Sequence, residues 1–145
     1  MKKHSGLKSY FMQVFSLDED IKKQAEDIET LQALQYGPGG SLVKMSKKTA
    51  NNRRGEDLAV AVLEAQAQLT KAKINLLSLE KEIKTLADTL PDSIYRAIIT
   101  WRYICRYMWK DIAWRAEMSE MQVIREHNTA MAAMEERAKQ IEKPS

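Results

Sequence analysis

The chain has 145 residues, 44% of them hydrophobic and 30% charged, with a formal net charge of +3. That length gives one ordinary domain, or one small domain with an extended element. The balance is too apolar for a disordered chain and too charged for a membrane protein.

Ala, Leu, Glu, Lys, Gln and Met dominate and β-branched runs are nearly absent, which predicts an all-α protein. One cysteine, Cys105, rules out an internal disulfide; its apolar surroundings predict a buried structural thiol. No run of about 18 apolar residues predicts a membrane span. Met1-Lys2-Lys3 is not followed by the apolar run of a signal peptide, so a cytoplasmic location is expected.

Residues 7–35 carry the first helical pattern, with Tyr10, Val14, Leu17, Ile21, Ile28 and Leu31 at spacings of three and four once Gln24 or Ala25 fills the gap after Ile21. Ser16 with Glu19 reads as a capping box, which predicts a fresh helix near Leu17 after a short one. Residues 37–40, Gly-Pro-Gly-Gly, break any helix. The stretch from Ser41 to Gly55 holds Lys44, Lys47, Lys48, Arg53 and Arg54 and no acid, so a basic, mobile linker is expected across 37–55.

Residues 56–90 have the most regular pattern. Leu58, Val62, Ala65, Leu69, Ala72, Leu76, Leu79, Ile83, Leu86 and Leu90 step by four and three without interruption. This is a heptad seam, which needs a partner helix. Residues 7–35 folded back as a hairpin supply one partner and a second chain another; the two together predict a hairpin that also forms a homodimer.

Pro91 ends that helix, and Asp92 or Ser93 caps the next. Residues 93–107 predict an apolar helix with Ile94, Ile98, Trp101, Ile104 and Cys105 inward and Arg96, Arg102 and Arg106 outward. A short helix, 109–116, follows. After Glu117-Met118, Ser119 with Gln122 forms a capping box for a last helix to about Gln140. Val123, His127, Ala130 and Met134 form its apolar stripe.

Helix, tight turn, short helix, three-residue turn and Ser-capped helix is the layout of a tri-helical helix-turn-helix. The expected architecture is therefore a coiled-coil hairpin over 1–90 followed by a helix-turn-helix DNA-binding domain over 91–145. Ile112-Ala113 is the expected contact between bracing and last helix. The last helix presents its first turns to a major groove. Gln122 and Asn128 can bond adenine edges and Arg125 guanine, while Glu120 can accept from cytosine or simply favour the helix dipole. Ser119 and Met121 lie on the same turns, and Lys110, Arg115 and Arg106 are placed to touch phosphates.

Arg102-Tyr103-Ile104, Trp109-Lys110-Asp111-Ile112-Ala113, Ser119, Val123, Arg125, His127 and Ala130 together resemble the C-terminal half of ArpU-type and related phage transcriptional regulators. Those are in turn similar to region four of bacterial sigma factors. The resemblance covers residues 91–134 in motif and most of the chain in layout. It implies control of late or packaging genes of prophages in Gram-positive hosts, with double-stranded DNA as partner. Where that group has Gly before the bracing helix, Arg106 or Tyr107 stands here. Met108 stands in place of a Ser or Thr cap, Glu117 in place of a turn Gly, and Glu126 in place of an apolar residue.

From Pro91 onward, nine Lys or Arg face eight Asp or Glu. That near balance admits a second reading, a non-enzymatic adaptor whose helix-turn-helix has lost DNA and docks on a protein such as RNA polymerase. A terminase DNA-binding subunit fits less well, because there the reader precedes the coiled coil. His127 has no second histidine nearby and reads as a core-edge residue, not a metal ligand. No Gly-rich phosphate loop, Cys/His cluster or paired nucleophile appears, so no catalytic residue, metal or cofactor is expected.

Overall fold

The computed structural model describes residues 6–36 and 48–142, with side chains described over 6–35 and 55–140. The described residues are all-helical, with no strand among them. They comprise α1 (Leu7–Tyr36), α2 (Lys48–Ala87), α3 (Ser93–Ile99) running into a π-helical turn (Thr100–Ile104), α4 (Trp109–Ala116) and α5 (Glu120–Glu142). No described helix is long and apolar enough to cross a membrane.

α1 is one uninterrupted helix, so Ser16 lies mid-helix and caps nothing. The apolar pattern on both sides of Ser16 has the same phase, and continuing it costs less than opening new helix ends. The expected linker is helical in its last part. Residues 37–47 lie outside the described part, but Lys48–Gly55 is already the start of α2. Ala50 and Asn51 to Arg54 carry no Pro or Gly to prevent this.

The residues fall into two compact units, one of Leu17–Asn75 and one of Met1–Ser16 with Leu76–Ser145. α2 ends at Ala87, three residues before the end expected at Leu90-Pro91, and Pro91, where a domain boundary was expected, lies inside the second of these. In the first unit Ile28, Val62 and Ala72 are buried, and Leu17, Ile21, Leu31, Leu58, Ala65 and Leu69 are half-buried. Lys22 pairs with Asp18 one turn earlier at 3.1 Å.

In the second unit the seam continues inward, with Leu76, Leu79, Ile83 and Leu90 buried. Tyr10 on α1 donates to Glu82 on α2 at 2.5 Å. Burial and that carboxylate push the Tyr10 hydroxyl up to about 12. The first amide of α1, at Leu7, points to the Glu135 carboxylate of α5 at 3.4 Å, which meets one unsatisfied donor of the helix start. Asp92 caps α3 by accepting from the Ile94 amide at 3.0 Å.

α3 does not run on as a plain α-helix. Over Thr100–Ile104 it widens into π geometry, and Ile98 and Tyr103, five apart, are both fully buried. In α geometry the inward position would fall to Arg102. The widening also turns Cys105 outward, so the only thiol is exposed, not buried.

Among the described residues, the non-glycine residues of positive φ are Arg106 (φ 61°) and Glu117 (φ 57°); the resemblance places a glycine at Arg106 or Tyr107 and at Glu117. Glu117 closes α4. Its amide bonds to Trp114 O at 3.3 Å and the Met118 amide to Ala113 O at 3.0 Å, which is the Schellman pattern. Half-buried Met118 packs on the core beside Ala113, as that pattern favours.

Glu117→Gly should therefore stabilise the protein by about 0.5–1 kcal/mol, because only the strain of the left-handed conformation is removed. Met108, the N-cap of α4, makes no side-chain cap bond. Met108→Ser should add about 1 kcal/mol. Urea unfolding of each variant checks both.

Candidate nucleic-acid interface

α3, α4 and α5 meet at a small core of Ile98, Ile112, Ala113 and Val123, with Ile94, Trp101, Tyr107, Trp109 and Ala116 packed around it. The expected Ile112-Ala113 pair is thus where α4 meets its neighbours. The turn between α4 and α5 is Glu117 to Ser119. Ser119 Oγ accepts from the Gln122 amide at 3.1 Å, as the capping box predicts.

α5 has two distinct sides over its first half. Val123, His127, Ala130 and Met134, the predicted stripe, are all fully buried. Ser119, Glu120, Met121, Gln122, Arg125 and Asn128 are all exposed. Helical spacing places Met121, Gln122, Arg125 and Asn128 on the side away from the stripe. Lys110 and Arg115 on α4 are exposed as well, and the Arg115 guanidinium lies over the Tyr107 ring at 4.3 Å.

Arg106 is placed differently from its neighbours. Its Nη1 donates to Glu80 Oε2 of α2 at 2.7 Å, and both side chains are largely covered. This ion pair holds the left-handed residue in place and turns its charge toward α2. Arg102, expected to point outward, is drawn inward. Its guanidinium sits 4.7 Å from the Phe15 ring and 4.2 Å from the Trp109 ring, and Nη1 donates to Tyr107 O at 2.9 Å. Burial lowers its pKa. A planar cation stacks between aromatic faces more favourably than it does in an apolar core alone. A charged side chain at that position reads as outward, and the aromatic faces of Phe15 and Trp109 are what receive it.

His127 is the buried polar centre of this end. Its Nε2 lies 2.6 Å from the Tyr103 hydroxyl and its Nδ1 3.2 Å from Asn128 Oδ1. A neutral ring with the proton on Nδ1 satisfies both bonds, with Tyr103 donating to Nε2. Trp109 stacks edge-on at 4.8 Å, and Phe11 stacks edge-on against Tyr103 at 5.4 Å. Burial first, then the nearby charges of Lys8 and Arg102, lowers the His127 pKa to about 4, while the Asn128 bond opposes the shift. His127 thus packs against Trp109 of α4, the bracing helix on which it was expected to rest. Glu126 is half-buried and accepts a bond from the Tyr95 hydroxyl of α3, which accounts for a carboxylate where an apolar residue was expected.

Trp114 and Met121 stand out as 80% and 75% exposed, beside the turn that joins α4 to α5. No group of three or more His, Cys, Asp or Glu suited to a metal occurs among the described residues. Compared with known protein families, curated proteins and solved structures, the chain has no significant match.

The pH dependence of folding follows from His127. The unfolded ring takes a proton near pH 6.5, which the folded ring refuses until about 4. This contribution is fully present above about pH 6.5 and is lost progressively as pH falls toward 4, by about 3 kcal/mol in all. Urea midpoints measured from pH 7.5 to 4 should show this acid slope in the wild type. In His127→Gln the slope should be much flatter, on a lower baseline.

Proposed function

We propose that the chain is a phage or prophage transcriptional regulator that binds duplex DNA through a helix-turn-helix. Its first helix is α3, its bracing helix α4 and its reader α5. The observation that carries this reading is the division of α5. Four side chains tie it to the core, while Gln122, Arg125, Met121 and Asn128 on its opening turns face outward behind a tight turn. Lys110 and Arg115 flank that end and supply phosphate contacts. Arg106 stays with Glu80 and contributes to position, not to DNA contact.

Within this reading α1 and α2 form the coiled-coil hairpin, supported by the Tyr10–Glu82 bond between the start of one helix and the end of the other. The protein acts as a homodimer in the host cytoplasm, and RNA polymerase is a further partner. The resemblance to ArpU-type regulators and sigma region four rests on the motif residues in α3 to α5.

A second reading, the protein-docking adaptor, is favoured by one observation: a tryptophan and a methionine stand almost fully exposed beside the would-be reader. Apolar side chains so exposed suit a protein surface better than a phosphate backbone.

Titration with random duplex DNA across a salt series separates the two. The DNA reading expects affinity that falls steeply with salt, with a slope shallower by about one in Lys110→Ala. On an operator, Gln122→Ala or Arg125→Ala should cost about 1–3 kcal/mol each without loss of helix. Absence of binding at low salt by folded protein transfers the assignment to the adaptor. Trp114→Ala should then be the variant that abolishes capture of RNA polymerase.

A further inference from the structure

α2 carries a second heptad stripe besides the one that faces the interior. The seam from Leu58 to Leu90 is buried or half-buried throughout. Offset from it on the same helix, Val60, Leu63, Ala67, Thr70, Ile74 and Leu77 also step by three and four. All six are exposed, the four large ones by 53–65%. From Val60 to Leu77 the stripe runs about 26 Å. An apolar stripe of heptad period fits another helix, and left bare it marks an interaction surface.

We propose that a second copy of this chain docks on this stripe, α2 against α2, antiparallel, about a twofold axis between Ala67 and Thr70. In that register Val60 meets the partner's Leu77, Leu63 meets the partner's Ile74, and Ala67 meets the partner's Thr70. Large side chains meet large ones toward the ends, and small ones meet at the centre, where the helices approach most closely. The flanking charges match the same register. Exposed Glu64 lies beside the partner's Lys71, and the symmetry repeats the pair. A parallel, in-register pair offers no such match, because it sets Gln66 beside the partner's Lys71 and Lys73 beside the partner's Ser78. The proposal rests on the dimeric part of the reading above and not on DNA binding.

Light scattering on the full chain tests it. The wild type is expected to be a dimer. Leu63→Glu and Ile74→Glu, each placing desolvated charges in the seam, should weaken association at least about 100-fold with an unchanged circular dichroism spectrum. Glu64→Lys should weaken it less, and Glu64→Lys with Lys71→Glu should restore it. Disulfide trapping in a Cys105→Ser background reads the orientation on a nearly intact surface. Chains carrying Leu63→Cys and chains carrying Ile74→Cys should cross-link when mixed and not when alone, because like positions lie about 16 Å apart in the antiparallel pair.

A wild type monomeric up to roughly 100 µM overturns the proposal, as does a dimer indifferent to Leu63→Glu. Cross-linking of either cysteine variant alone overturns it as well. A dimer that fails to bind DNA leaves this face standing and removes the DNA reading, and a monomer that binds DNA does the reverse.

Discussion

The Tyr103 hydroxyl against the His127 ring, 2.6 Å apart and fully buried, is the contact on which the C-terminal end is organised. It joins the π turn after α3 to the middle of α5. Trp109 closes on the same imidazole from α4, and Phe11 on the same phenol from α1. Four helical segments thus converge on one polar pair. A buried pair of this kind is costly unless both members are satisfied, and here Asn128 completes the histidine. Such a pair fixes one orientation of α5 about its axis more sharply than aliphatic packing alone.

That orientation decides what α5 offers to a partner. With His127 locked inward, Gln122 and Arg125 are set outward, and Ser119 holds the first turn by its cap. Display and support therefore fall to one element: the same helix that completes the core exposes the polar residues. Arg102, stacked between Phe15 and Trp109, fills the space beside it with a charge that has left water only because aromatic faces and a carbonyl receive it.

Much of this was legible in the residue pattern, where one period governs a long element. The heptad positions of α2, the inward stripe of α5, the Asp92 and Ser119 caps and the Ile112-Ala113 contact all follow from spacing or from local chemistry. The two left-handed residues were marked only by the resemblance, which set a glycine at Arg106 or Tyr107 and at Glu117. What the pattern concealed has a single physical origin in two of its cases. The π turn shifts the phase of the helix, so Cys105 is exposed and Tyr103 takes the buried position. No side-chain pattern announces a backbone hydrogen bond one residue longer than usual. Ser16 misled for a different reason: a capping residue is also tolerated mid-helix, and only the unbroken phase of the apolar positions around it argued for continuity.

The π turn also has a consequence for changes in chain length. A π-helical turn accommodates one residue more than the α-helix it interrupts, without disturbing the helix on either side. Tyr103 sits five residues beyond Ile98 yet shares its burial. Deleting one residue between them, at Thr100 for instance, would bring the phenol to the ordinary four-residue spacing on the same inward side. The segment therefore reads as an absorbed insertion, and the chain has a site where a codon can be lost and the core contact kept. The turn from Glu117 to Ser119 offers no such slack. There a one-residue change would break the Schellman bonds and the Ser119 cap together, and with them the placement of everything α5 displays.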